Sequence, residues 1–380
     1  MLAQRPPMGW NSWNTFTGDI DEKMIMQTAD AIVENGLLDA GYEYLVIDDC
    51  WSEKKRDENG MLVADRKKFP HGMKYVADYV HSKGLKFGIY SCCGILTCAG
   101  HPGSFGHEFD DAKFFAEVGV DFLKYDNCYH ASMENKLAYS RMNLALRTCG
   151  REILFSACNW GIYEAHKWMR SVGAHMYRST GDITDTFESI KSISNGQKEK
   201  LVYSAPACFN DVDMLVVGLH GKGNVGFGFG CTDANYRYHF AFWCMASAPL
   251  MLGCDVRSMS EQDKALLTNK HLIRIDQDEE ARPPIFGEHD GKYYAHKVLS
   301  GGEYAIALFN PFENEEILEY QEKNVAFNFY ELGIMPSDGI GFEITDAFTG
   351  ENLGIFKDCI NLPVGGGDAR VFLAKPVILK

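Results

Sequence analysis

Lys124-Tyr125-Asp126 closes a short apolar run with a cation and a carboxylate two residues apart, so in a strand both side chains share one face. In a parallel barrel that face is either lumen or helix side, and a charged pair is tolerable only at the lumen's open end. A lysine beside the carboxylate favours its ionised form, which is what a nucleophile requires. The plainer alternative is a structural ion pair closing the barrel top. The pattern repeats: Tyr44-Leu45-Val46-Ile47 ends at Asp48-Asp49, Met176-Tyr177-Arg178 runs on to Asp182, and Leu250-Met251-Leu252-Gly253-Cys254 ends at Asp255. Acids at the same end of several strands predict a ring of carboxylates around one mouth, the geometry of a barrel enzyme's active face.

The other candidates are weaker alone. Asp48 and Asp49 point to opposite faces if the strand continues through them, but a turn there lets both accept hydrogen bonds from one polyol. In Arg178-Ser179-Thr180-Gly181-Asp182 the glycine frees the backbone to present Asp182, although an arginine four residues from an acid is commonly a salt bridge. Asn210-Asp211-Val212-Asp213-Met214 again sets carboxylates two apart, without the further oxygen ligands and glycine turn of a calcium loop. Trp10, Trp13, Trp51, Tyr90 and Trp160 fall at or just after expected strand ends. Rings beside carboxylates make a floor for the apolar CH face of a sugar.

No H-x-H or H-E-x-x-H pattern occurs among the 12 histidines, and no phosphate-binding glycine motif stands in the right setting, so zinc hydrolysis and nucleotide chemistry have no anchor. No metal and no cofactor is expected. The net charge of −15, without a cluster of Lys and Arg, favours a neutral ligand over nucleic acid. The most apolar stretch, Phe240 to Val256, contains Pro249 and falls short of a bilayer span of about 20 residues, so it reads as a buried helix followed by a strand and no membrane segment is expected. The 12 cysteines include no CxxC pair, and with no signal-peptide pattern at the start, free thiols in a cytoplasmic protein are the expectation. What remains is carboxylate chemistry on a neutral ligand, and paired carboxylates there mean glycoside hydrolysis first.

The elements that must hold these residues alternate between strand-like and helix-like from residue 7 to about 275. Strands are expected at 7–13, 42–49, 86–91, 121–126, 152–158, 175–180, around 205–214 and at 249–255, with helices at 21–38, 71–83 and 109–118 among the connections. Eight such units close a (β/α)8 TIM barrel over residues 1–280. Beyond Arg282-Pro283-Pro284 the pattern turns to period two with turn signals, which predicts a C-terminal antiparallel β-sandwich over residues 281–380.

Five motifs together resemble glycoside hydrolase family 27, the α-galactosidases and α-N-acetylgalactosaminidases: Met8 to Trp13, Ile47 to Trp51, Thr97 to Ser104, Lys124 to Cys128 and Asn210 to Leu215. The match runs through the whole barrel in the right order. The resemblance implies a retaining exo-glycosidase that releases terminal α-linked D-galactose through a covalent glycosyl-enzyme, without a cofactor. It casts Asp126 as nucleophile and Asp182 as general acid and base, with the carboxyl groups roughly 5–5.5 Å apart. Asp48 and Asp49 look like ligands of the distal hydroxyls, Lys124 and Arg178 like contacts to ring hydroxyls, and Asp213 like a further pocket acid. Trp13 and Tyr90 look like the aromatic wall, and Cys98, Cys158, Trp160 and Met214 fill out the implied sugar pocket.

Ser156 to Gly161 resembles the galactosidase form of the fifth-strand loop, where bulk at Cys158 and Trp160 excludes an N-acetyl group at C2, and retention of Asp49 favours a hydroxymethyl group at C5. The alternatives are an α-N-acetylgalactosaminidase, a β-L-arabinopyranosidase and, more remotely, a non-catalytic sugar-binding barrel or a metal-dependent lyase or isomerase. The expected partner is a galactose-containing oligosaccharide or glycoconjugate, with homo-oligomers left open. Where relatives often carry an acid and a small residue after Tyr90-Ser91, this chain has Cys92-Cys93, and Val212 stands where a proline is common. Cys98 and Cys128 align with a disulfide of secreted relatives and are expected either as facing thiols or as a bond.

Overall fold

The computed structural model describes residues 2–130, 133–289, 291–313 and 324–379. Short apolar runs form eight parallel strands: β1 (Met8–Asn11), β2 (Tyr44–Val46), β3 (Lys86–Cys92), β4 (Phe122–Asp126), β5 (Leu154–Ala157), β6 (Met176–Arg178), β7 (Phe209–Asp211) and β8 (Leu250–Leu252). They are ordered β7-β6-β5-β4-β3-β2-β1-β8. Leu215, just past β7, closes the ring on β8: its N–H donates to the Met251 carbonyl at 2.8 Å and its own carbonyl accepts from Gly253 at 3.0 Å. All residues of β1 and β2 are buried, as strands walled by both lumen and helices must be.

Register sets the level at which each side chain meets the lumen. Tyr90 of β3 pairs with Lys124 of β4, and Lys124 with Ser156 of β5, while Cys92 pairs with Asp126 one layer nearer the mouth. Across the barrel Arg178 of β6 pairs with Asp211 of β7.

Most expected elements are shorter in the structure, and two show why. The helix anticipated at 21–38 spans Glu22–Glu34, capped by Asp21 accepting from Met24 N–H at 2.7 Å, and it ends because Gly36 takes a left-handed φ of 72° before a separate turn at Leu37–Ala40. The seventh strand keeps only three residues of the anticipated segment, because Asp213 leaves the extended region with φ 79°. Phe240 to Val256 divides as expected: a helix at Asp233–Ala246, buried almost all round, then Pro249 and β8. Among the described residues no helix is long and apolar enough to cross a membrane.

The C-terminal strands are β9 (Ile285–His289), β10 (Lys292–Val298), β11 (Tyr304–Asn310), β12 (Asn324–Asn328), β13 (Ile340–Asp346), β14 (Asn352–Phe356), β15 (Cys359–Pro363) and β16 (Asp368–Ile378). Six form one antiparallel sheet in the order β14-β13-β16-β11-β10-β9, and β12 pairs with β15 in a second. Ile306, Leu308, Phe342, Ile344 and Phe372 of the large sheet meet Val325, Phe327 and Ile360 of the small one in a dry sandwich core. The large sheet's other face packs on helix Asp233–Ala246, with the rings of Tyr238 and Phe309 4.9 Å apart and a bidentate Arg237–Asp368 pair.

Candidate active site

At the C-terminal ends of the barrel strands lies a cavity of about 250 Å³. That is just under the ~300–1,000 Å³ usual for drug-sized ligands, and is a size for one sugar ring rather than a chain. Every residue that the family resemblance assigns to the site lines it: Trp13, Asp48, Asp49, Tyr90, Cys98, Lys124, Asp126, Cys158, Trp160, Arg178, Asp182, Asp213 and Met214.

One wall comes from β2, β3 and β4. The chain bends after Val46, so Asp48 and Asp49 both turn inward. Asp48 Oδ2 accepts from Asn11 Nδ2 and from Lys124 Nζ, each at 2.7 Å, and Asp49 Oδ2 accepts from Ala99 N–H at 2.9 Å. Lys124 therefore pairs with an acid 76 residues earlier rather than with Asp126 two residues on. Asp126, 6% exposed, takes its hydrogen bonds from Tyr90 Oη at 3.0 Å and from Asn127 N–H at 2.9 Å, with Cys98 Sγ 3.8 Å from Oδ2. The two cysteines after Ser91 hold the turn beyond Asp126: Cys92 Sγ donates to the Cys128 carbonyl at 3.0 Å and Cys93 Sγ to Asn127 Oδ1 at 3.2 Å. Cys98 and Cys128 are disulfide-bonded with Cα atoms 5.2 Å apart, which decides between the two states left open for them, and Cys92 and Cys93 are free.

The facing wall is organised by Arg178. Its Nη1 reaches Asp213 at 2.7 Å and its Nη2 reaches Asp182 at 2.8 Å, while Nε has no protein partner. Asp213 also accepts from Ile183 N–H at 2.6 Å, so the Asp182 loop is tied to the strand-seven turn. Asp213 and Trp160 both hold left-handed φ values, 79° and 55°. Such backbone costs on the order of 1–3 kcal/mol for a residue with a side chain, and it persists where the surroundings fix a functional side chain.

Burial raises the Asp126 carboxyl above its ordinary range, opposed by the Lys124 ammonium and the Asn127 N–H. The lysine does favour the ionised form of Asp126, as its place in the sequence suggests, but desolvation outweighs it. Burial alone would lower Lys124, but the Asp48 and Asp126 carboxylates outweigh it and hold the ammonium firmly protonated. Across the pocket, crowding by protein raises the Asp182 carboxyl, yet the Arg178 guanidinium more than offsets this and leaves it below the usual range. Its side chain is 71% exposed, unlike the other acids. Asp211, beneath the floor, is pushed up to about 6 by burial against the pull of Arg178.

Other expectations shift. Asp255 is outside the ring: it caps the turn at Val256–Ser258 and pairs with Arg257 at the surface. Trp10 and Trp51 are buried and do not line the cavity, Trp10 Nε1 donating to the Cys254 carbonyl and Trp51 stacking on Phe114. Asn14, Ile183, Thr184, Asn224, Val225 and Phe227 line the cavity without having been singled out. The glycine-bearing run from Gly221 to Gly230 was the available signal for the last three. Two trios of metal-ligating atoms occur among the described residues, Asp49-Cys50-His101 and Cys98-Asp126-Cys128, but the second spends both sulfurs on its disulfide.

Comparison with known proteins places this arrangement. The Alpha galactosidase A family profile matches residues 5–278. Alpha-galactosidase A of Cellvibrio japonicus is 43% identical over 392 residues, covering 99% of this chain and 93% of that protein. The crystal structure of α-galactosidase I from Mortierella vinacea superposes with a TM-score of 0.90 at 30% identity, covering 98% of this chain and 97% of that one. The α-galactosidase of Saccharomyces cerevisiae solved with raffinose gives 0.86 at 28% identity, covering 99% and 98%. With a matched barrel, a shared sandwich and a carboxylate-lined monosaccharide pocket, the chain belongs to the α-galactosidase family, glycoside hydrolase family 27.

Proposed function

We propose that the chain is a retaining α-galactosidase in which Asp126 is the nucleophile and Asp182 the general acid and base. Family membership carries the activity, hydrolysis of terminal α-linked galactose. The convergence on one closed-ended cavity of the side chains that the family resemblance assigns supports the residue roles. Asp126 attacks the anomeric carbon as Asp182 protonates the leaving oxygen. Asp182, now a carboxylate, then takes a proton from the water that releases β-bonded sugar from Asp126, restoring the α configuration. A bound sugar sheds water from the Asp182 side chain and engages Arg178 hydroxyl-first, which raises the carboxyl toward the protonated state the first step needs.

Asp48, Asp49 and Lys124 are suited to hydroxyls at the closed end: the Asp48 and Asp49 carboxylates keep acceptor capacity beyond the donors they engage, and Lys124 keeps donors beyond Asp48. Cys158 and Trp160, at the end of β5, leave an N-acetyl substituent no room, and Asp49 favours galactose over a pentose. Galactose-bearing oligosaccharides of the raffinose class are the substrate we favour, in keeping with the ligand of the Saccharomyces cerevisiae structure. Ten free cysteines, seven of them buried, support a cytoplasmic enzyme of carbohydrate metabolism, and the Cys98–Cys128 bond weighs against that compartment.

The test is a trapping experiment with 2,4-dinitrophenyl 2-deoxy-2-fluoro-α-galactoside or a 5-fluoro galactosyl fluoride, read by peptide mass spectrometry. The label should sit on the peptide carrying Asp126 and be absent from Asp126→Asn, and proton NMR of early product should show the α anomer. A β anomer, or a label on another acid, overturns the assignment. Release from p-nitrophenyl α-galactoside should exceed that from the α-N-acetylgalactosaminide and β-L-arabinopyranoside and be unchanged by EDTA.

A further inference from the structure

We propose that Phe227, with Phe229 beside it, is the platform that receives the leaving-group sugar. The proposal rests on Asp182 being the proton donor. Phe227 lines the cavity mouth yet is 63% exposed, and Phe229 is 96% exposed. Two phenyl rings left in water on one short segment call for a partner, and single scattered ones would not.

The segment bearing them is built to be stiff. Asp185, fully buried, accepts from Gly221 N–H at 2.7 Å and from Cys231 N–H at 3.2 Å, gripping both ends of the loop, and Tyr236 Oη bonds both of its oxygens at 3.1 Å. Within the loop Asp185 N–H donates to the Val225 carbonyl at 2.9 Å, Asn224 N–H to Asn14 at 2.8 Å and Gly228 N–H to Gly221 at 3.1 Å. Gly230 permits the closure: with φ 66°, a Cβ there would lie 2.1 Å from Gly221 N. The rings are thus presented on fixed backbone, which spares a ligand the entropy of ordering them.

Place identifies the ligand. Asp185 lies three residues beyond Asp182, so the clamp that fixes the loop also joins it to the segment whose carboxyl must touch the glycosidic oxygen. The wall it makes is therefore on the leaving-group side, at the mouth of the galactose pocket. A neutral hexose unit, packing its CH face on the Phe227 ring, is the chemistry that suits an uncharged aromatic there.

The experiment compares kcat/KM for raffinose, which carries a leaving sugar, with that for α-galactosyl fluoride, which carries none. In Phe227→Ala the raffinose-to-fluoride ratio should fall about fivefold, the scale of one aromatic face contact, while Phe227→Trp should keep the ratio; Phe229→Ala should lower it less. An unchanged ratio, or equal losses on both substrates, overturns the proposal. So does a ratio that holds while the Ala variants lose self-association in sedimentation, which would assign the rings to a second copy of the chain. Asp182→Asn run in parallel separates the premises: loss confined to raffinose supports the proton donor, and equal loss on both substrates refutes that role while the Phe227 ratio is read independently.

Discussion

Replacing Lys124 with methionine keeps most of the stem's volume and removes one charge. At 2.7 Å from Asp48 Oδ2, that charge contributes a gross attraction of about 6 kcal/mol at an effective dielectric near 20. Desolvation of the ammonium offsets part of it in the native protein, but in the variant Asp48, 2% exposed, stays buried with its cation gone. Removing one partner of such a pair destabilises by about 3–5 kcal/mol. At roughly 2–4 °C per kcal/mol for a mid-sized domain, and less for a longer chain, the melting temperature should fall by roughly 5–10 °C near neutrality.

The pH dependence gives the sharper test. The Asp126 carboxyl is already raised by burial, and Lys124 is a group that lowers it. Without the lysine it rises further. A raised carboxyl favours the fold at low pH, and that advantage is lost as pH climbs through the folded-state value. The melting-temperature gap between variant and wild type should therefore shrink on acidification, read by calorimetry across the acid range. In parallel the alkaline limb of kcat/KM, which Asp126 sets because its carboxyl lies above that of Asp182, should move to higher pH. A gap constant with pH together with an unmoved alkaline limb would refute the electrostatic role of Lys124 and leave it a positioning residue alone.

Asp126 raised and Asp182 lowered invert the order the first step needs in the free enzyme, so only a minor fraction carries the first ionised with the second protonated. The kcat/KM profile should be a narrow bell with its maximum on the acid side of neutrality, with both limbs belonging to the coupled pair; a plateau extending above neutrality would place the proton donor elsewhere. Cys98→Ser opens a link spanning 30 residues, for which loop closure predicts a loss of about 3–4 kcal/mol. Thermal melts with and without reductant check this, the reductant lowering wild type to the variant's melting temperature.

Much of the barrel was legible because its strands are apolar runs interrupted by acids, and the mouth because those acids recur at one end. Pair identities were not. Lys124 lies beside Asp126 in sequence but bonds Asp48, a choice made by register between β2, β3 and β4 rather than by spacing. Trp10 and Trp51 lose their expected place for different reasons: alternation in β1 sends Asn11 to the lumen and Trp10 to the other face, while Trp51 lies in the loop after β2 and stacks on Phe114. The Gly221–Gly230 segment carries none of the patterns the sequence reading used, and its shape comes from distant partners such as Asp185, 36 residues upstream of Gly221.

The helix at Asp233–Ala246 touches both halves of the molecule. Arg237 holds Asp368 of the sandwich, while on the same helix Trp243 Nε1 donates to the Asp213 carbonyl at 2.7 Å and His239 Nε2 accepts from Val216 N–H at 3.1 Å. The strained residue that positions Arg178 is thereby braced from behind by an element whose outer side is the sandwich's docking surface. Modular exchange has a boundary here: a graft cut between barrel and sandwich would strip the cover from the brace, so the unit that can be inherited or transplanted intact is the barrel together with its β-sheet lid.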